Sequence, residues 1–346
     1  MRAMILKEFR QMRRDRRTVA LMVGLPLMLL IVFGYAARFD VTSIDTAVVG
    51  PSAEAVALQL SDVFEVVIID PAGDAASATE LLRDSKAKVA IVTGSPLRVL
   101  LDGTELFVAQ SARSRMSQLP PGTEVEILFN PDLSTAAVMV PSLIGLILLF
   151  VGTVITSLGV VREREQGTLE QLAVTPLRPV DVIVGKIAPY FAVAVIDIIV
   201  ITLVGLQVFD VPFRGSVLMF GAFGLLYLFV VLGLGVLVST VSHSQGEAIQ
   251  LAIMVLLPQV MLSGMIFPLA SMAPGVRWIG YLLPLTYFVM GMRGVFLKGS
   301  SIGALSRPLL ILGVMAVVIF VLAILRFRRD LAPKRAAAES ATGAPG

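Results

Sequence analysis

Three groups of residues have the types and spacing to do chemistry, and none of them is a catalytic set. The chain has no cysteine, so thiol nucleophiles and disulfides are excluded, and with the single histidine His243 a His-based metal or acid–base centre is not expected. The first group is a loop. Arg162-Glu163-Arg164-Glu165 closes an apolar run, Gly167 breaks it, and Thr168-Leu169-Glu170-Gln171 fits the S/T-x-x-E/Q capping box. In that box Thr168 accepts the backbone N–H of Gln171 while Gln171 reaches back, which starts a helix. Leu169, Leu172 and Ala173 fall on one face of it, Pro176 ends it, Pro179 blocks a restart, and Asp181 can cap the next helix. The spacing predicts a short rigid amphipathic helix over 167–176, suited to a groove on a partner protein. A capped interfacial helix with no partner is the plainer alternative.

The second group is polar residues inside apolar runs. Asp197 sits near the middle of the run 187–209, where a charge costs at least about 2.5–3.5 kcal/mol in a bilayer. It should therefore face the bundle interior, a cavity or a partner. There it would handle a cation or proton on a translocation path, or hydrogen-bond helices together. Gln259, beside Pro258, could line such a path or satisfy a backbone group freed by the proline. Glu247 and Gln250 open a further run, either touching the loop region or solvated. The third group is a series of breaks: Pro258, Gly264, Pro268, Pro274, Gly275 and Pro284. At membrane depth such breaks survive only where protein or water covers them. A structured gate at Pro268, Pro274, Trp278 and Pro284 is expected, with Trp278, Tyr281 and Tyr287 as interfacial anchors; anchoring alone is the simpler reading.

The elements that position these residues are membrane helices. Mean hydropathy is +0.88 and 15% of residues are charged, against roughly 25% in soluble proteins. Six runs are apolar over about 18 residues or more: 18–37, 137–161, 187–209, 216–240, 248–268 and 308–325. The first, with Arg38, forms the span 18–38. It follows a long basic flank, so it reads as an uncleaved anchor rather than a signal peptide. The piece 278–292 is too short and proline-marked to span and reads as part of a re-entrant hairpin over 269–306. Lys and Arg decide the orientation. With the N-terminus inside, cytoplasmic segments hold 16 of the 28 and the short outer loops 5, which places both termini in the cytoplasm.

Two segments differ from the spans. Residues 1–17 carry Met1, Met4, Ile5, Phe9 and Met12 near helical spacing among basic residues, which predicts a helix on the inner membrane surface. Residues 40–135 hold 14 acidic and 6 basic residues and no spanning run. "TAVVG", "FEVVIID", "KVAIVTG", "LRVLLDG" and "EVEILFN" read as strands, with helices in "AASATELLRDSK" and "ELFVAQSARSRMSQL". The expected fold is therefore an α-helical integral membrane protein of six spans, with both termini cytoplasmic and a small α/β extracytoplasmic domain over 40–135. Asp70, Asp74 and Asp102 stand beside Gly or Pro, where turn chemistry explains them without a metal. The acidic domain argues against nucleic acid. The tail 327–346 ends in a small-residue polar stretch with the composition of disorder.

"REREQGTLEQLAVTPLRPVDVIVGKIAPY" resembles the signature of ABC-2 type transporter permeases, the membrane subunits of ATP-binding-cassette exporters. "FNPDLSTAAVMVPSLIGLIL" and "QLAIMVLLPQVMLSGMIFPLASMAPGVRWIGYLLPLTYFVMGMRGVFLKG" agree with it, so the resemblance covers essentially 1–330. The insertion at 40–135 is similar to the subgroup with a large extracytoplasmic domain after the first helix, often associated with multidrug or lipophilic-compound export. The resemblance implies that 1–17 is a connecting helix and 167–176 a coupling helix contacting an ATPase subunit. That assigns ATPase coupling to Glu163, Glu165, Gly167, Thr168, Leu169, Glu170, Gln171, Leu172 and Pro176. It also implies a second permease subunit, identical or related, surrounding membrane lipid, and location in the cytoplasmic (inner) membrane of a bacterium. No G-x-x-x-x-G-K-[ST] occurs, and "VGKIA" at 184–188 lacks both the hydroxyl and the upstream glycine. The chain is thus not expected to be an enzyme or to hold a cofactor; ATP and Mg would be bound by the partner. Two other readings are a proton-coupled secondary transporter using Asp197 and a membrane sensor. No paired repeat supports the first, and no inner segment is long enough for an output domain in the second.

Overall fold

The computed structural model describes residues 43–60, 63–115, 122–166 and 179–331. The expected connecting helix 1–17, the span 18–38, the loop helix 167–176 and the end of the tail lie outside them.

The segment after residue 43 is an α/β domain. Its elements are β1 (Ile44–Val49), α1 (Ala53–Ala57), β2 (Phe64–Asp70), α2 (Ala75–Arg83), β3 (Val89–Val92), β4 (Arg98–Asp102), α3 (Leu106–Arg115) and β5 (Glu124–Leu128). The strands lie in the order β2-β1-β3-β4-β5, all neighbours parallel except the antiparallel pair β3–β4. Alternation along the strands builds two cores. Ile44, Val48, Val89, Ile91, Val99 and Leu101 face α1 and α3 on one side. Ala47, Val49, Ala90 and Leu100 face Ala78 and Leu82 of α2 on the other. With both faces covered, the middle strands read as near-continuous apolar runs. All five expected strands are present; α1, one turn long, was not expected.

The remaining elements are α4 (Thr135–Glu165, with a π turn at Val151–Ile155), α5 (Pro179–Val208), α6 (Val217–Val241), α7 (Gln245–Leu262), α8 (Pro274–Gly280), α9 (Pro284–Arg293) and α10 (Ile302–Leu331). Among the described residues five helices are long and apolar enough to cross a membrane, namely α4, α6, α7, Ala188–Val208 of α5 and Ile302–Arg326 of α10. The chain is thus an integral, multi-pass membrane protein. Apolar side chains cover its outside as well: Ile196, Val200 and Leu203 on α5, and Val314, Val317 and Leu322 on α10, are exposed.

α6 is the hub, packed on α4, α5, α7, α9 and most extensively on α10. Lipid gives little hydrophobic drive between helices, so close backbone approach matters. A Cβ on Gly152 would lie 2.6 Å from Val231 Cγ2, and one on Gly235 would lie 2.9 Å from the Gly152 carbonyl oxygen. These small residues bring α4 against α6. α9 enters the same core: the ring of Phe288 stacks on Tyr227 at 4.3 Å between centroids and lies against Gly145 of α4.

Several boundaries differ from the sequence reading, each at a proline or glycine. Pro179 does not block a helix but begins α5, where a missing N–H would be unpaired anyway. Pro308 lies inside α10 rather than at its start. The fifth span stops at Leu262, before Pro268, where the chain turns through Gly264 at φ +83°. Pro274 and Pro284 likewise start α8 and α9 instead of kinking a longer helix.

Candidate functional site

The polar and charged groups of the bundle gather at its two ends, with a few between. At the end away from the α/β domain, the last residues of α4 each hold a different helix terminus. Arg164 Nη1 donates to the carbonyl oxygens of Ser239 at 3.0 Å and Ser242 at 2.8 Å, which close α6. The Glu165 carboxylate accepts from the backbone N–H of Gln245 at 3.0 Å and from its side-chain amide at 2.6 Å, where α7 begins. Opposite charges thus meet the matching ends of two helix dipoles. Ser244 caps α7 by accepting from the Glu247 N–H, and Glu247 accepts from the His243 N–H at 2.7 Å. Glu163 is half-buried on the same turn. The loop that begins at Gly167 therefore leaves from a point tied to α4, α6 and α7 together. Glu163 and Glu165 are the sequence-derived candidates placed here; Gly167, Thr168, Leu169, Glu170, Gln171, Leu172 and Pro176 lie outside the described residues.

The two membrane-depth candidates are not brought together. Ala194, Ile198 and Thr202 form the buried stripe of α5, and Asp197 stands half-buried at its edge rather than inside the bundle. It makes no hydrogen bond or ion pair among the described residues. Gln259 is 2% exposed within α7, and its Oε1 has no partner among the described residues.

At the other end, the chain between α7 and α10 folds back into the bundle, and two arginines satisfy its broken backbone. Arg277 Nη2 donates to the Ala270 and Met272 carbonyls at 2.7 and 3.3 Å, and Arg293 Nη2 to Met265 O at 3.2 Å. This is the cover that irregular backbone needs at membrane depth. Of the gate candidates, Pro268 leads into a 3-10 turn, Pro274 and Pro284 open α8 and α9, and Trp278 is 57% exposed, its Nε1–H donating to Gly275 O at 2.8 Å.

The α/β domain is docked on this end by a buried ion pair. Lys298 Nζ lies 2.6 Å from Asp102 Oδ2, with side chains 3% and 0% exposed. Its other donors reach the Leu82 carbonyl at 3.1 Å, in the last turn of α2, and Ser85 Oγ at 2.7 Å. Thr104 supplies Asp102 Oδ1 with two more donors, its N–H at 3.0 Å and its hydroxyl at 2.6 Å. Ser300 Oγ donates to Arg83 O, and Ser301 Oγ to Asp84 Oδ1. Beside this lies the ion pair Lys88–Glu105. Burial opposes ionisation of Glu105, but Lys88 and then Arg293 outweigh it and hold its carboxyl at about 2. Lys88, which burial would lower, is carried above the usual lysine value by Glu105 and Asp102. Asp74 is the turn residue it was expected to be, accepting from the Ser77 N–H that caps α2. Asp102 is not only a turn residue. The sequence reading missed its pairing with Lys298, which no local pattern signals across 196 positions.

Comparison with known proteins agrees with this architecture. The chain is 28% identical to the Escherichia coli (strain K12) protein described as "Probable multidrug ABC transporter permease YbhS", over 95% of this chain and 97% of that protein. It is 28% identical to "Probable multidrug ABC transporter permease YbhR" of the same strain, over 86% and 90%. "ABC transporter G family member 20" of Dictyostelium discoideum is 28% identical over 57% of this chain and 27% of its own length. The model of the family described as "ABC-2 family transporter protein" matches residues 16–325, and the chain belongs to that family.

Proposed function

We propose that this chain is the membrane subunit of an ATP-binding-cassette exporter, working in the cytoplasmic (inner) membrane of a bacterium with a separate ATPase docked on the helix expected at 167–176. Arg164 and Glu165 carry the proposal: they tie the start of that loop to the ends of α6 and α7, so a push on the loop is delivered to three helices at once. With 18–38 as a further span the count becomes six, both termini lie inside, and the α/β domain stands outside. α8 and α9 then form the outer gate, Pro268, Pro274, Trp278 and Pro284 shaping it. Two permease subunits pair, alike or related. The cargo is a lipophilic or drug-like compound or a lipid, passing Asp197 and Gln259. The names of the relatives and the apolar, sparsely charged spans support this class. A proton-coupled carrier built on Asp197 is not favoured, since the family is one of ATPase-driven permeases and Asp197 stands at the edge of its helix's buried stripe.

The test is to express the chain with its ATPase and replace Leu169 and Leu172 by Asp. Co-purification and transport-coupled hydrolysis should both be lost while the permease keeps its own elution profile. Intact assembly and coupling in this variant would refute the docking assignment.

A further inference from the structure

Between the α/β domain and the start of α10 lies a cavity of about 530 Å³. Its wall holds five cationic residues, Lys86 and Lys88 of the domain, Arg293 and Lys298 of the hairpin and Arg307 of α10, against two carboxylates, Asp84 and Glu105. Both carboxylates are already engaged. Glu105 pairs with Lys88, and Asp84 accepts from the hydroxyl and N–H of Ser301. Lys298 is committed to Asp102. Lys86 and Arg307 form no ion pair among the described residues; Arg293 shares the field of Glu105 with Lys88, and its Nε is buried with no hydrogen-bond partner among them. Five cations face two carboxylates that are already engaged, and one guanidinium nitrogen is buried, so the cavity carries excess positive charge and is complementary to an anion. Guanidinium groups favour phosphate, which accepts their forked donors.

The surroundings add a second requirement. Met290, which lines the cavity, is 40% exposed, and Leu310, one turn of α10 beyond the lining residue Arg307, is 69% exposed. A cationic cavity opening onto an apolar helix face matches a molecule with an anionic head and a hydrocarbon tail. We propose that this cavity binds the phosphate headgroup of an anionic amphiphile whose chain lies along the start of α10. The site is independent of whether an ATPase docks at the far end of the bundle.

Native mass spectrometry of the purified full chain can count the lipid retained. The probes are phosphatidylglycerol, phosphatidylcholine and inorganic phosphate. Phosphatidylglycerol should be retained in preference to phosphatidylcholine, and the preference should weaken at about 0.5 M salt. Lys86→Gln with Arg307→Gln, both at exposed positions, should weaken retention roughly 30-fold, about fivefold for each charge removed. Should the double variant lose its native elution volume, the two single variants carry the test. Displacement of the lipid by inorganic phosphate assigns the cavity to phosphate from either source; binding of phosphatidylglycerol that phosphate cannot displace assigns it to membrane lipid. Equal retention of both lipids with no binding of phosphate overturns the proposal, and so does undiminished retention in a folded double variant.

Discussion

The two ends of the helical bundle are held by different physics. At the domain end, Lys298 and Asp102 meet out of water, every donor of the ammonium is used, and α9 interlocks with α4 and α6 through aromatic rings set against glycines. At the loop end, Arg164 and Glu165 make a few bonds to the termini of α6 and α7 near the surface. An interlocked, desolvated junction has few alternative arrangements and moves as a body. Bonds from exposed or half-buried side chains to helix ends can exchange with water and break at lower cost than a buried ion pair. The comparison teaches where movement can start: the loop end can be repositioned by a partner, and the domain end follows as a unit.

Breaking the stiff end should give the largest effect. Lys298→Ala leaves Asp102 buried without its cation and should cost about 3–5 kcal/mol, read as a lower unfolding temperature and faster proteolytic release of the domain. Adding Asp102→Asn should restore part of the loss, and no restoration would mean that the pair is not the anchor. At the loop end, Arg164→Ala removes two hydrogen bonds from a charged donor and should cost about 1.5–3 kcal/mol. Its sharper signature is functional: ATPase activity should lose its response to cargo more than the fold loses stability. If both ends respond alike in stability and coupling, the contrast between them is wrong. The smallest effect concerns acid. The Glu105 carboxyl lies at about 2 when folded against an ordinary 4.5, so its contribution is complete above about pH 4.5 and fades as pH falls toward 2. Unfolding temperature should be flat in this respect from pH 8 to about 5 and fall below that, and Glu105→Gln should blunt the fall.

Much of the frame was legible in the sequence because periodicity is local. The five strands of the α/β domain and the cores of α4, α5, α6 and α10 follow from runs of like residues. Proline was the misleading signal. Pro179, Pro274 and Pro284 each begin a helix, while Pro308 is tolerated within one, and nothing in the neighbouring residues separates these roles. The candidate sites divide in the same way. Glu165 stood out through its own charged run, but its partner Gln245 lies 80 positions away. Asp102 looked like a turn residue because Asp-Gly is a turn signal, and its second role depends on a lysine that only the fold brings near. Asp197 drew notice through its cost in lipid, yet its depth along the chain does not say which side of the helix meets protein.

The π turn in α4 has a consequence for everything after it. A helix advances about 100° per residue, so one extra residue at Val151–Ile155 rotates the remainder of α4 by that angle relative to its beginning. Extending the buried positions Ile144 and Leu148 without the insertion would turn Ile155 and Arg162 inward. In the structure those two are exposed, while Thr156 and Val160 are buried. The phase step aims the final turn so that Arg164 meets α6 and Glu165 meets α7. Deleting one residue there would leave the span long enough for the membrane but dial its last turn to the wrong bearing, like a key cut one notch out of step.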